Sequence, residues 1–245
     1  MRNIKIIIQY DGTRYQGWQR LSDSKSTIQE KIESVLSTLV GEEVQLVGSG
    51  RTDGGVHAEK QTANFHTRST VSCEEVLEHC TRFLPADIVV REAEEVAQDF
   101  HSRFKVREKI YRYTIDNGLH HNVFSRKYAL HLPQRLEIET MREAAKVFVG
   151  QHDFRSFTKL QTKTKSTVRT VFSIEIVEKY PFLYIRICGN GFLYKMVRLM
   201  VGALIDAGRG QLNAIQIKDI LRKKDKNNPI EPAPPHGLCL EEVVY

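Results

Sequence analysis

Residues 48–57 read Gly48-Ser49-Gly50-Arg51-Thr52-Asp53-Gly54-Gly55-Val56-His57 and combine four glycines with one acid, one arginine and one histidine. Glycines gather where a backbone takes positive φ angles or passes close to a ligand. Asp53 is the only carboxylate between Glu43 and Glu59. A lone acid on such a loop either carries out chemistry or is an ordinary turn residue, since Asp-Gly is a common hairpin turn. The loop alone leaves both alternatives open.

The residues on either side predict alternating strands and helices, because strand-like and helix-like spacings of apolar residues follow each other along the chain. In the first hundred residues the predicted order is strand, helix, strand, strand, helix, strand. The strands are expected over residues 3–10, 43–47, 61–67 and 87–92, and the helices over residues 26–41 and 72–85, each with a capping-box start.

The second half of the chain repeats this alternation without repeating the sequence. Strands are expected over residues 109–117, 128–132, 171–179, 182–188 and 238–244, and helices over residues 136–149, 192–207 and 213–224. Residues 154–171 are basic and lack apolar periodicity, so they predict an exposed loop. Strands with hairpin-length connections indicate an α+β fold, in which helices cover one side of a largely antiparallel sheet.

The domain division is expected near residues 100–108, where basic and aromatic residues begin to alternate along the chain. The length of 245 residues allows one or two domains. No Gly/Ser linker marks the change, so the halves are expected to share one continuous sheet. The predicted domains are residues 1–104 and residues 105–245.

The composition favours a reduced protein that attracts polyanions, although a basic enzyme with no such partner would look the same. Hydrophobic residues make up 41% of the chain, enough for a sizeable core, and the net charge of +6 favours RNA or DNA. The four scattered cysteines include no Cys-x-x-Cys pair, which indicates neither disulfides nor a zinc site. Without a secretory signal or a run of about 18 apolar residues, a cytoplasmic location and no membrane partner are expected.

The glycine-rich stretch fits none of the common nucleotide or nucleophile motifs. Gly48 and Gly50 lack the third glycine of a dinucleotide fingerprint, and no Lys-Ser/Thr follows to make a P-loop. Ser49 is not in a Gly-x-Ser-x-Gly nucleophile elbow, and no His-Glu-x-x-His motif occurs. Asp53 is therefore the remaining reactive group. A single carboxylate argues against an ordinary glycosidase, which uses a pair.

Asp53 needs a nearby cation if it is to stay ionised for catalysis. Arg51, two residues earlier, is one candidate. Arg198 is the second, because its predicted helix is otherwise apolar and an arginine is rarely buried without an acidic partner. The alternative is that Arg198 extends its alkyl stem towards solvent. We favour the pairing of Arg198 with Asp53.

Two basic stretches are typical of RNA contact. Lys109-Ile110-Tyr111-Arg112-Tyr113 interleaves cations, which contact phosphates, with aromatic rings, which stack on bases. Lys109 and Tyr111 are therefore candidate substrate-binding residues. The alternative is that Tyr111 and Tyr113 face a core and the charges are solvated, and for Tyr113 this interpretation is at least as good. The second stretch, residues 154–171, contains no acid. Its candidate contacts to the RNA backbone are Lys159, Lys163, Lys165 and Arg169.

The chain resembles the bacterial tRNA pseudouridine synthase A family nearly from end to end. The motifs that carry the resemblance are Tyr10-Asp11-Gly12-Thr13, Gly17-Trp18-Gln19, Gly50-Arg51-Thr52-Asp53-Gly54-Gly55-Val56-His57-Ala58, Phe100-His101-Ser102-Arg103-Phe104, Lys109-Ile110-Tyr111-Arg112-Tyr113, Gly150 with His152-Asp153-Phe154, Gly189-Asn190-Gly191-Phe192-Leu193-Tyr194, Met196-Val197-Arg198 and Gly237-Leu238.

The resemblance implies isomerisation of uridine to pseudouridine at positions 38 to 40 of the tRNA anticodon stem-loop, without a cofactor or a metal. It implies that Asp53 is the catalytic acid, that Tyr111 stacks on the target base and that Arg198 pairs with Asp53. Arg51 would help to displace and hold the flipped nucleotide. It also implies a homodimer, each subunit having two similar α/β halves of the ferredoxin/RRM type around a central, mostly antiparallel sheet.

Two residues depart from the family pattern and leave a second interpretation open. Gly54 stands where alanine is usual, and Lys195 stands where asparagine is common. The chain is therefore either the main enzyme or a divergent second copy. A non-catalytic tRNA-binding or folding chaperone on the same scaffold is the alternative function, but it has no use for Asp53, Tyr111 and Arg198 together. A nucleoside glycosidase would need a second acid.

Overall fold

The computed structural model describes residues 1–24, 26–161 and 166–245. The described chain forms two compact units, Met1–Arg107 with Cys239–Tyr245, and Glu108–Leu238. The sequence places the boundary at 104/105 and the C-terminal strand in the second half. The C-terminal residues belong to the first unit instead, because Cys239 and Leu240 pair in parallel with a strand of that unit.

The helices and strands follow the predicted alternation, with shifts of a few residues at most ends. In chain order they are β1 (Arg2–Tyr10), α1 (Ile28–Val40), β2 (Val47–Gly48), β3 (His57–Thr67), α2 (Cys73–Phe83), β4 (Ile88–Val96), β5 (Glu108–Asp116), β6 (Leu130–His131), α3 (Ile138–Lys146), β7 (Gly150–Asp153), β8 (Val168–Lys179), β9 (Phe182–Gly189), α4 (Met196–Gly208), α5 (Ala214–Lys223) and β10 (Leu238–Val244). The exceptions to the predicted alternation are Gly150–Asp153, a strand that was not predicted, and Val47–Gly48, which replaces the strand expected over residues 43–47.

The first unit is built on the strand order β4-β1-β3-β10, with β2 paired to β3. β1 is antiparallel to both β3 and β4, so its period-two pattern places Ile4, Ile6 and Ile8 on one face, where all three are buried. The predicted limits of α1 are confirmed: Thr27 accepts a hydrogen bond from the Glu30 N–H, and Gly41 ends the helix in the left-handed conformation at φ 72°.

The second unit has the strand order β5-β9-β8-β7, antiparallel throughout, with β6 paired in parallel to β5. Helix α3 packs against α4 and α5. Helix α4 is buried along nearly its whole length, which explains why its apolar sequence shows no polar stripe. The α+β class with mostly antiparallel pairing is confirmed. The sharing of one sheet by both halves stays a prediction.

Two predictions for the second unit are wrong. Helix α4 begins at Met196 and not at residue 192, because Lys195 takes the left-handed conformation, with φ 61° and ψ 7°, and interrupts the helix. Residues 154–158 are not an exposed loop. Phe154 and Phe157 are fully buried in a 3-10 turn and pack on the ring of Phe148, with centroid distances of 6.5 and 4.9 Å.

The helices are too short or too polar for a bilayer. Within the ranges that the structure describes, none has the length and apolar content needed to cross a membrane.

Gly202 in α4 tests how tightly the second unit is packed. A Cβ on this residue would lie 2.1 Å from the main-chain oxygen of Glu231. Alanine normally favours a helix over glycine by about 1 kcal/mol. Here the clash with the main chain outweighs this preference, so Gly202→Ala is expected to destabilise the protein. We expect the free energy of unfolding, measured by urea denaturation, to fall by about 2 kcal/mol.

The control for this substitution is Gly208→Ala in the same helix. Its Cβ would meet the side chain of Met141 at 2.8 Å, and a flexible thioether can move aside. Gly208→Ala should therefore destabilise the protein less than Gly202→Ala does. Equal losses for the two variants would contradict the close backbone contact at Gly202.

Candidate active site

The Asp53 loop, residues 49–56, connects β2 to β3. The two strands pair antiparallel, with Val47 opposite Asn64 and Gly48 opposite Ala63, so both ends of the loop are fixed to one sheet. At the start of the loop, the Ser49 N–H donates to the Thr62 oxygen at 2.8 Å. Strand pairing and a main-chain hydrogen bond therefore fix the ends of the loop.

The residues just before α1 hold the Asp53 loop from the other side. The Trp18 N–H donates to the Thr52 oxygen at 3.1 Å, and the Gly55 N–H donates to the Tyr15 oxygen at 3.3 Å. These bonds flank Asp53 directly. Asp53 itself is partly buried, and its own main-chain oxygen accepts from Val56 at 3.2 Å. The carboxylate thus sits on a backbone that is fixed on both sides of it.

Glycines permit the close approach of these two segments. A Cβ on Gly12 would lie 2.0 Å from the Val56 oxygen, and one on Gly17, whose φ is +104°, would lie 2.6 Å from the Thr52 oxygen. The sequence indicated glycines for close approach. The structure shows such an approach at Gly12 and Gly17, which lie outside the glycine-rich stretch of residues 48–57 and accommodate the protein's own backbone.

Arg51 points outward from the Asp53 loop. Its side chain is exposed, and Nε donates to Gln19 Oε1 at 2.9 Å. Gln19 in turn donates to Gln29 of α1 at 2.9 Å. The guanidinium is oriented at one edge while its outer amino groups remain at the surface, an arrangement that suits contact with a phosphate. The sequence did not reveal Gln19 as the residue that positions Arg51.

The second unit carries Tyr111 and Lys109 on β5. Tyr111 is 7% exposed, and its ring meets Phe192 edge-on, with centroids 5.4 Å apart and planes at 88°. Such a contact fixes the orientation of the tyrosine ring. Lys109 lies opposite Gly189 in the strand register. Phe192 is a functional candidate that sequence reasoning missed, although it belongs to the Gly189–Tyr194 motif.

Arg198 is buried in the first turn of α4. Its Nε donates to the Ala233 oxygen at 2.7 Å, and the Ala233 N–H donates to the Arg198 oxygen at 2.9 Å. At 9% exposure it does not extend to solvent, so that alternative is wrong. Burial raises the pKa of the neighbouring Tyr113, and the charge of Arg198 opposes that rise. Asp53, its expected acidic partner, belongs to the first unit, and the pairing stays a proposal.

Two of the four candidate contacts to the RNA backbone, Lys159 and Arg169, lie in described parts of the chain. Burial lowers the pKa of the Arg169 guanidinium, whose Nη1 donates to the oxygens of Ser166 and Val168 at 3.0 and 2.6 Å. Lys159 is exposed, and its N–H donates to the Tyr194 oxygen at 3.3 Å. Both cations therefore belong to the same unit as Tyr111. The remaining two, Lys163 and Lys165, lie outside the described residues.

The side chains that could ligate a metal are scattered. Over the described ranges, no group of three or more His, Cys, Asp or Glu side chains is placed to hold a metal ion.

Comparison with known proteins decides the family. Residues 6–105 and 144–245 match the family model described as tRNA pseudouridine synthase. The chain belongs to the tRNA pseudouridine synthase family. Over the full 245 residues of both chains, it is 46% identical to a protein of Bacillus cereus (strain ZK / E33L) named tRNA pseudouridine synthase A 2.

Two further relatives extend the match over complete chains. The chain is 47% identical to the tRNA pseudouridine synthase A of Bacillus sp. (strain KSM-64) and 44% identical to the tRNA pseudouridine synthase A 1 of Clostridium tetani (strain Massachusetts / E88). Among solved structures, an archaeal box H/ACA sRNP Nop10–Cbf5 complex aligns at a TM-score of 0.40 and 12% identity, over 83% of this chain and 42% of that one.

Gly54 does not need to be a glycine in this family member. Its φ is not positive, and a Cβ would lie 3.3 Å from the Tyr15 oxygen, which needs a shift of only a few tenths of an ångström. We expect Gly54→Ala to change the free energy of unfolding by less than about 1 kcal/mol. Gly12→Ala should cost more than about 3 kcal/mol, since its Cβ would overlap the backbone of Val56.

Thermal and urea unfolding of the two variants measures the difference. The pair tests the packing of the Asp53 loop, because both substitutions add one methyl group to the same cluster. A Gly12→Ala protein as stable as Gly54→Ala would contradict the close approach of the two segments.

Lys195 is strained in a way that asparagine would relieve. A non-glycine residue at φ 61° is disfavoured, and asparagine tolerates this conformation better than lysine. We expect Lys195→Asn to raise the free energy of unfolding by about 1 kcal/mol, or 2–4 °C in Tm for a chain of this length. Lys195→Gln, which removes the same charge without the conformational preference, is the control and should give no such gain.

Proposed function

We propose that this chain isomerises uridine to pseudouridine at positions 38 to 40 of the tRNA anticodon stem-loop, with Asp53 as the catalytic carboxylate. Isomerisation of uridine in tRNA is the activity of the family to which the chain belongs. The observation that carries the proposal for Asp53 is its loop, which is bonded on both sides of the acid to the backbone before α1. A catalytic group must be held this firmly to act on a bound substrate.

The chemistry begins with a uridine that has left its stack, because a base inside a helix is out of reach of a carboxylate. Asp53 attacks the sugar or the base, or removes a sugar proton, and the bond from N1 of uracil to C1′ breaks. The uracil turns and forms a bond from C5 to C1′, and the bond or proton that Asp53 had taken is given back. C5 then loses its proton and N1 gains one. Substrate and product are isomers, so one carboxylate suffices and no cofactor is required.

The remaining residues hold the substrate and the acid in place. Tyr111, with its ring fixed by Phe192, stacks on the target base, and Lys109 lies two residues before it on the same strand. Arg198 keeps Asp53 ionised, since a guanidinium beside a carboxylate favours the charged form. Arg51 holds the flipped nucleotide.

The RNA backbone and the assembly belong to the same proposal. Lys159 and Arg169 contact the RNA backbone, and the enzyme acts in the cytoplasm as a homodimer.

The isosteric substitution Asp53→Asn tests the role of the acid. It removes the negative charge and leaves the loop contacts in place, so we expect turnover to fall by at least about a thousandfold with tRNA binding retained. Turnover is read as tritium release from tRNA labelled at C5 of uridine. Asp23→Asn, an exposed acid of the same unit, is the matched control and should keep full activity.

Two outcomes would contradict the proposal in different ways. Turnover retained by a folded Asp53→Asn protein would remove Asp53 as the catalytic residue. A wild-type protein that binds tRNA but releases no tritium would indicate the chaperone function. Mapping of pseudouridine in tRNA from cells that lack this chain tests positions 38 to 40.

A further inference from the structure

A basic cleft opens at the outer edge of the second unit. The end of α3, strand β7 and helix α5 line a space of about 640 Å³. Four cations border it: Lys146, Lys218, Arg222 and Lys224. None of these four residues belongs to the site described above. A cleft of this size is within the range in which proteins bind ligands.

The charges of the cleft are strongly unbalanced. Lys218 and Arg222 are four residues apart on α5, so their like charges face each other and cost a few tenths of a kcal/mol. Both are exposed, and neither has a carboxylate partner within the described ranges. The helix dipole favours Arg222, which lies in the last turn, but not Lys218, which lies mid-helix. Stability of α5 therefore does not account for the pair.

The single carboxylate of the cleft is already engaged. Asp153 accepts hydrogen bonds from the Arg155 N–H at 3.2 Å and from Thr167 Oγ1 at 2.5 Å, and lies 3.4 Å from Lys224 Nζ. Burial opposes its ionisation, but these contacts lower its pKa overall. Lys146 has only an exposed ion pair with Glu143. Such surface pairs are weak, so Lys146, Lys218 and Arg222 are available to an anion.

The position of the cleft separates it from the reacting base. Strand β7 is three positions away from β5, which carries Tyr111, in the order β5-β9-β8-β7. Neighbouring strands are about 4.8 Å apart, so the two sites are separated by roughly 14 Å across the sheet. A phosphate in the cleft would therefore belong to a nucleotide several positions from the target uridine.

We propose that this cleft binds the sugar–phosphate backbone of tRNA at a distance from the uridine that reacts. The proposal rests on the proposed function, which supplies tRNA as the substrate. Cations spaced along a cleft that is open to solvent match the spaced phosphates of a nucleic acid strand, which they bind without reading its sequence. The cleft adds affinity and fixes the position of the tRNA, and takes no part in the chemical step.

The test is the double variant Lys218→Ala with Arg222→Ala. Both residues are exposed on a helix, and alanine favours helix formation, so the fold is retained. The matched control is Lys179→Ala with Lys223→Ala, which removes two exposed cations of the same unit outside the cleft. Circular dichroism and thermal unfolding establish that both proteins are folded.

The measurements are the Kd for tRNA over a series of salt concentrations, and kcat at saturating tRNA. For the cleft variant we expect tRNA to bind about fivefold to tenfold more weakly than for the control. The slope of log K against log salt should fall by about two, one for each phosphate that the variant no longer neutralises. The kcat should change less than twofold, because the residues lie away from the reacting atoms.

Two results would overturn the proposal. One is a Kd and a salt slope equal to those of the control variant. The other is a loss of inorganic pyrophosphate binding, measured by calorimetry, with tRNA binding unchanged, which would assign the cleft to a small phosphate compound. Wild-type tritium release, measured in parallel, separates these outcomes from failure of the proposed function, because it does not depend on the cleft.

Discussion

Main-chain contact between the Asp53 loop and the segment before α1 is the constraint on which the first half of the site depends. The Trp18 N–H and the Tyr15 oxygen bond to residues on either side of Asp53. This contact is possible only because Gly12 and Gly17 carry no Cβ. Backbone groups that bond to each other at such short range leave a loop few alternative conformations, so the position of Asp53 follows from the sheet and the start of α1.

In the second unit, glycines also permit close contacts with main-chain atoms around α4. Gly189 leaves room for the Thr170 oxygen and the ring of Phe192, and Gly202 leaves room for the Glu231 oxygen. The Ala233 oxygen then accepts from Arg198 Nε at 2.7 Å. A carbonyl fixes the plane of a guanidinium, and a buried guanidinium is stable where a negative charge balances its own. An arginine in an otherwise apolar helix is therefore the observation behind the proposed pairing with an acid.

Local signals in the sequence predicted local structure well. Thr27 and Ser72 accept the N-cap hydrogen bonds expected at the starts of α1 and α2, and Gly41 ends α1, but the reciprocal capping box forms only in α2. The errors concern contacts between distant residues. The burial of Phe154 depends on Phe148 and Phe157, and the C-terminal strand joins the first unit by pairing with β3. No periodicity within either segment reveals these partners.

The candidate site shows the same difference between local sequence signals and contacts of distant residues. Family motifs identified Asp53, Tyr111 and Arg198 as residues, but the groups that position them are distant in sequence. Gln19 bonds to Arg51 across 32 positions and Ala233 bonds to Arg198 across 35. A motif shows which side chains occur, whereas their orientation depends on the tertiary fold.

Lys195 is a residue with a strained backbone conformation at the start of α4. A lysine at φ 61° is unfavourable, and its side chain makes no capping hydrogen bond to α4. Its Nζ lies 5.3 Å from the centroid of the Tyr194 ring, a cation–π contact that offsets part of the strain. The Tyr194 oxygen also accepts from the Lys159 N–H, so the main chain of a second basic residue lies beside this turn. Strain that holds a cation over an aromatic ring at the start of α4 is the pattern expected where function takes precedence over stability.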